Sequence, residues 1–173
     1  MQFELNQATA MLAGTPAVLD ALMRNQSPSW LTARKAPDAF SSIDVLGHLI
    51  HAEKTDWIPR VRMILEHGES RTFVPFDRFG FHELTANNDV GQLLDLFAVS
   101  RRECLQALSD LHVGDEQLIL HGVHPEQGRV TMRELLAAWV VHDLGHIAQI
   151  VKTMAGEYRE AVGSWRRYLS ILE

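Results

Sequence analysis

Two histidines in the stretch Ala137-Ala-Trp-Val-Val-His-Asp-Leu-Gly-His-Ile-Ala-Gln149 stand four residues apart. At about 100° per residue, His142 and His146 lie one turn above each other on one helix face, the spacing with which a helix grips a single metal ion. Two nitrogens alone make a poor site, so a third ligand must come from elsewhere in the chain. By spacing alone the alternative stays open that these are two ordinary histidines at a core boundary.

The upstream candidate is His48. Ser41-Ser-Ile-Asp44 has the form of a capping box, with Asp in place of the usual Glu, and opens a periodic segment running to about His67. On its helical wheel Leu46, Ile50, Trp57, Val61 and Ile64 form an apolar arc, extended by Val45, Leu49, Ala52 and Met63. His48 falls roughly 40° from Ala52, at the edge of that arc. His51 falls further out, among Asp44, Thr55 and Arg62, so His48 is the inward ligand. Three neutral imidazoles suit Zn²⁺ or Ni²⁺ and leave coordination positions free for water or substrate, which points to a catalytic rather than a structural ion. Such an ion lowers the pKa of a bound water or thiol and makes it a nucleophile near neutral pH. Asp143, Gln149 or Glu53 could hold an imidazole N–H from behind, although Glu53 lies on another face of its helix from His48.

Four amphipathic segments must position these residues. The first runs over residues 3 to 25 through Leu5, Met11, Leu12, Val18, Leu19 and Leu22, and Gly14-Thr-Pro16 predicts one kinked helix or two short ones. The second spans 41 to 67, with Pro59 expected to kink or break it near Thr55 to Ile58. The third opens at Asp89-Val-Gly-Gln92 and continues to about Ser109; the fourth opens at the capping box Thr131-Met-Arg-Glu134 and continues to about Ala155. Asp143 falls near the centre of the fourth apolar stripe, so it must be paired or hydrogen-bonded. Residues 68 to 88 form a long aromatic-rich connection, in which Phe73, Phe76, Phe79 and Phe81 are expected to cover one end of the core. Residues 111 to 129 read as a second connection, with a strand-like piece at Gln117 to Leu120 and with His121 and His124 as surface residues. The tail from Val162 to Leu172 reads as a short helix outside the bundle. The fold class is all-α: a four-helix bundle with long connections and a short C-terminal helix, in one domain over residues 1–173.

Composition narrows the function. At 173 residues the chain can bury a core without needing metal or disulfides for stability. A formal charge of −6 and a pI near 5.8 give no basic footprint, against nucleic acid or an anionic membrane as partner. The single cysteine, Cys104, excludes an internal disulfide and reads as a packed thiol. No signal-peptide pattern and no run of eighteen apolar residues appears, so a soluble cytoplasmic protein is expected.

The segments Ser42-Ile-Asp-Val-Leu-Gly-His-Leu-Ile-His-Ala-Glu53 and Val130-Thr-Met-Arg-Glu-Leu-Leu-Ala-Ala-Trp-Val-Val-His-Asp-Leu-Gly-His-Ile-Ala-Gln149 resemble the two signature segments of the DinB-like superfamily, one with a Gly-His-Leu and one with His-Asp-x-x-His-x-x-Gln. Their order and separation match over roughly residues 10 to 155. The resemblance implies a four-helix bundle in which His48, His142 and His146 bind a divalent metal, zinc or nickel. It also implies a homodimer, and an enzyme whose metal activates a low-molecular-weight thiol, such as bacillithiol or mycothiol, for S-transfer to an electrophile. Hydrolysis of a small-molecule substrate by metal-bound water is the second expectation. A non-catalytic stress-response binding module is the third.

Overall fold

The computed structural model describes residues 2–173. Its elements are α1 (Leu5–Met23), α2 (Pro28–Thr32), α3 (Ser42–Thr55), α4 (Trp57–His67), α5 (His82–Asn87), α6 (Val90–Asp110), α7 (Asp115–Leu118), β1 (His121–His124), β2 (Gly128–Thr131) and α8 (Met132–Gly156). A 3₁₀ turn follows α4, and the C-terminal tail, expected to be a short helix, is made of 3₁₀ segments at Gly163–Tyr168 and Ser170–Leu172. The long helices α1, α6, α3 and α8 pack in that cyclic order into a four-helix bundle, and α4 continues the α3 arm past a break.

Three of the four bundle helices start at a capping box. Ser41, Asp89 and Thr131 all close reciprocal capping boxes, with Asp44, Gln92 and Glu134 as partners. The α3–α4 break falls at Asp56, inside the expected window, because Pro59 has no N–H to offer the carbonyl of Thr55.

Pro16 acts differently. α1 is one helix through Gly14-Thr-Pro16 rather than two pieces. The missing N–H of Pro16 leaves the carbonyl of Leu12 without its helical donor, and Arg101 Nη1 of α6 donates to that oxygen at 2.7 Å instead. Met11 and Val18, read as part of the inward stripe, are 51% and 43% exposed. The side of α1 that is buried carries Ala8, Leu12, Thr15, Leu19 and Met23.

A polar layer crosses the apolar core. One half contains Leu12, Trp57, Val61, Leu108, Leu136 and Trp139. The other contains Leu19, Leu46, Ile50, Phe97 and Ile150. Between them, Arg101 (1% exposed) forks to both Glu53 oxygens, at 2.7 and 3.0 Å, and to both Asp143 oxygens, at 2.6 and 3.1 Å. Thr15 donates to Asp143 Oδ2 at 2.7 Å, and Trp139 Nε1 donates to Glu53 Oε1 at 3.1 Å. All four arms of the bundle thereby contribute to one network, and the carboxylate that the wheel placed in the apolar stripe has its partners.

The connections form the cover. Phe73 and Phe81 are fully buried and Phe76 is half-buried, but Phe79 is exposed, so three of the four aromatics act as expected. Residues 121–131 form an antiparallel hairpin, with His121 opposite Thr131 and His124 opposite Gly128; the piece Gln117 to Leu120, expected to be strand-like, instead begins inside the helical turn α7 and precedes the first strand. Phe73 N–H donates to the Val123 carbonyl at 2.8 Å, which ties the 70s segment to the hairpin. Gly122 makes that contact possible, because a Cβ there would stand 2.7 Å from the Phe73 ring and 2.8 Å from Ile64.

Candidate metal centre

His48 reaches the site from the middle of α3, and His142 and His146 from successive turns of α8. Their Nε2 atoms converge: His142 Nε2 is 3.1 Å from His48 Nε2 and 3.1 Å from His146 Nε2. Among the described residues this is the one group of three whose ligand atoms all lie within 4.8 Å of one another. A tetrahedral ion at Zn–N distances of about 2.0–2.1 Å spaces its ligands about 3.3 Å apart, close to the two 3.1 Å spacings, and the third lies within 4.8 Å, so the donor set suits a divalent metal. His51 stays outside the cluster, as its wheel position implied.

The three rings are held neutral. Burial, with each imidazole's charge opposing the others, brings His48 down to about 4 and His142 down to about 3. His146 is also lowered by burial, against the Gln149 side chain and the Asp143 carboxylate, which favour its charged form. Neutral imidazole is the ligating form. His146 Nδ1 faces Gln149 Oε1 at 2.9 Å, so the proton sits on Nδ1 and Nε2 presents its lone pair to the cluster. Of the three residues expected behind the imidazoles, only Gln149 takes that place. Asp143 and Glu53 face away into the Arg101 network, and the Nδ1 atoms of His48 and His142 are buried with no hydrogen-bond partner.

Aromatic rings fix the imidazole planes. Trp57 stacks on Trp139 with centroids 5.5 Å apart and meets His142 edge-on at 5.2 Å. Phe76 and Phe40 stand 5.3 and 5.8 Å from His48. Gly47, beside His48, lets the cover close on α3, since a Cβ there would lie 2.4 Å from Thr85 Cγ2.

The imidazoles open onto a cavity of about 600 Å³, with Phe40, Pro75, Phe76 and Pro125 as apolar wall and Asp56, Arg60, Arg78, His124 and Glu126 as polar wall. His124, expected on the surface, is thus a wall of this cavity, because the hairpin folds back over the 70s segment. Arg60 is itself bound to Asp56 at 2.7 Å. Sequence reasoning missed Arg101. Its signal was present: it sits four residues after Phe97 and seven before Leu108, in the centre of the α6 apolar stripe. Cys104 is remote in function, its Sγ donating to the Glu53 carbonyl at 3.1 Å, with burial raising its pKa to about 12.

A four-helix bundle with three convergent imidazoles at the floor of a cavity defines a class of proteins able to hold a metal ion beside a small molecule. Residues 11–150 match the DinB superfamily, and the chain belongs to that family. Its fold is similar to that of YfiT from Bacillus subtilis, described as a probable metal-dependent hydrolase with an unusual four-helix bundle topology. The two share 21% identity at a TM-score of 0.75, over 88% of this chain and 87% of that one. No curated protein matches the chain. No helix among the described residues is long and apolar enough to cross a membrane.

Proposed function

We propose that His48, His142 and His146 hold one zinc or nickel ion and that the protein is a metal-dependent enzyme acting on a small molecule in the cavity above them. The observation that carries this reading is the meeting of three imidazole Nε2 atoms, those of His48 and His146 each 3.1 Å from that of His142, on the wall of a 600 Å³ cavity. A divalent ion there supplies Lewis acidity and brings water or a thiol into its anionic form near neutral pH. The chain's own residues do the rest: Gln149 fixes the His146 tautomer, Trp57 and Phe76 hold ring planes, and the 70s segment and hairpin limit solvent access.

Hydrolysis is the first reaction we propose, since it requires only one bound organic molecule and agrees with the description of YfiT. S-transfer from a low-molecular-weight thiol is the second. The cavity volume favours it, with room for two reactants, and any thiol must come from outside because Cys104 is engaged elsewhere. Freshly purified protein is expected to carry about one equivalent of metal, and His142→Ala to carry none while keeping its helical circular dichroism. Absence of stoichiometric metal, or thermal stability indifferent to chelation and zinc addition, would overturn the metal centre. A chromogenic ester and amide panel, set beside conjugation of monochlorobimane in a bacterial thiol extract, separates the two reactions. Retention of the protein's cellular role by His142→Ala would instead favour a binding module.

We propose in addition that two copies pair through α1 and α8. Every exposed residue of α8 between Glu134 and Lys152 is apolar or glycine (Ala138, Val141, Leu144, Gly145, Ala148), and on the neighbouring α1 no charged residue occurs from Leu5 to Leu19. A surface of this kind, self-complementary and without charge, suits an isologous dimer. Sedimentation should give a dimer for the parent and a monomer for Val141→Glu; a parent that is monomeric throughout the micromolar range refutes the pairing.

A further inference from the structure

Four charged side chains line the cavity, and two of them are paired with each other. Asp56 and Arg60 neutralise each other at 2.7 Å, and both are buried. That leaves Arg78 and, from the tip of the hairpin, Glu126. Arg78 has no carboxylate within 4.0 Å among the described residues, and its guanidinium carbon lies 5.2 Å from the centroid of Phe40, over a ring that is itself a cavity wall. Arg78 is exposed, yet its guanidinium is laid along an aromatic wall of the space into which three imidazoles point.

We propose that Arg78 is the substrate-recognition residue of this cavity and that the substrate is an organic anion, its carboxylate or phosphate held by the Arg78 guanidinium and its apolar part against Phe40, Phe76 and Pro75. This rests on the reading of the three-histidine centre as the reactive end of the cavity. The planar fork of arginine matches two oxygens of one anionic group. A dication on three neutral imidazoles adds positive charge at the floor, and Glu126 at the rim opposes only part of the total. The arrangement favours a substrate with a negative end for Arg78 and a polar reacting group for the floor.

The test is calorimetric titration of the zinc-loaded full chain with glutarate, with inorganic phosphate and with glutaramide, the neutral analogue of glutarate. Glutarate and phosphate should bind, glutaramide should not, and Arg78→Gln should weaken both anions at least tenfold, with Arg78→Lys intermediate for glutarate. Elemental analysis should find the same metal content in Arg78→Gln as in the parent, because Arg78 is not a ligand. The proposal is overturned if neither anion binds the parent, if Arg78→Gln binds them as the parent does, or if glutaramide binds equally well. A chain that takes up no zinc yet shows Arg78-dependent anion binding supports the proposal while refuting the metal centre, so the two failures are distinguishable.

Discussion

Replacing Arg101 by Met tests the account of the bundle most directly. Arg101 makes five hydrogen bonds below the surface: two to Glu53, two to Asp143 and one to the carbonyl that Pro16 frees in α1. Methionine fills most of the volume but leaves two carboxylates, each 2% exposed, without their cation. Breaking a buried pair by removing one partner costs about 3–5 kcal/mol. Here two anions lose the same partner, and the Trp139 and Thr15 donors relieve only part of the loss. A cost of at least about 3–5 kcal/mol corresponds to a fall in Tm of about 6–20 °C for a chain of this size. The mechanism also predicts a pH signature. Burial already raises the Glu53 pKa, with Arg101 and Trp139 opposing it; removing Arg101 raises it further, so the folded variant binds a proton more readily than its unfolded chain. The deficit relative to the parent should therefore be full at pH 7.5 and smaller at pH 5.5, measured by urea unfolding at both. Glu53→Gln, which leaves Arg101 paired with Asp143, should cost no more than about 1–2 kcal/mol. A variant melting within 2 °C of the parent, or a deficit that does not change with pH, would show that packing rather than charge pairing holds this layer.

Other outcomes follow from the same geometry. His48 and His142 fall from 6.5 to about 4 and about 3, so the folded state binds fewer protons than the unfolded chain. The metal-free protein should keep its full stability above about pH 6.5 and lose about 2–4 kcal/mol as pH falls from 7.5 to 5, and the double variant His48→Gln, His142→Asn should lose markedly less. A flat urea midpoint over that range would contradict the burial argument. Gln149→Met should leave the fold intact and weaken zinc about 10–100-fold by competition with a chromogenic chelator, since the His146 tautomer is no longer held. Gly47→Ala should cost about 1–3 kcal/mol in urea unfolding, because the methyl would meet Thr85 and Phe81.

The sequence by itself determined what depends on near neighbours along the chain. Helix starts were legible because a capping box is closed within four residues, as Ser41, Asp89 and Thr131 show. The His142, His146 pair was legible because one helical turn separates its members, and the break at Asp56 because Pro59 acts on its own preceding turn. His48 was legible through the wheel, which orders faces without saying what they face. The demand that Asp143 be paired was also readable; the identity of its partner was not. Only the tertiary structure decided that Arg101, 42 positions from Asp143 and 48 from Glu53, joins them. A charge at the centre of an apolar stripe advertises a need, but the match depends on helix rotation and depth across the bundle. The same holds for the cavity. Arg78 and His124 lie on connections with no period to read, and it is the pairing of Phe73 with Val123, a contact between two loops, that brings both to the walls above the three imidazoles.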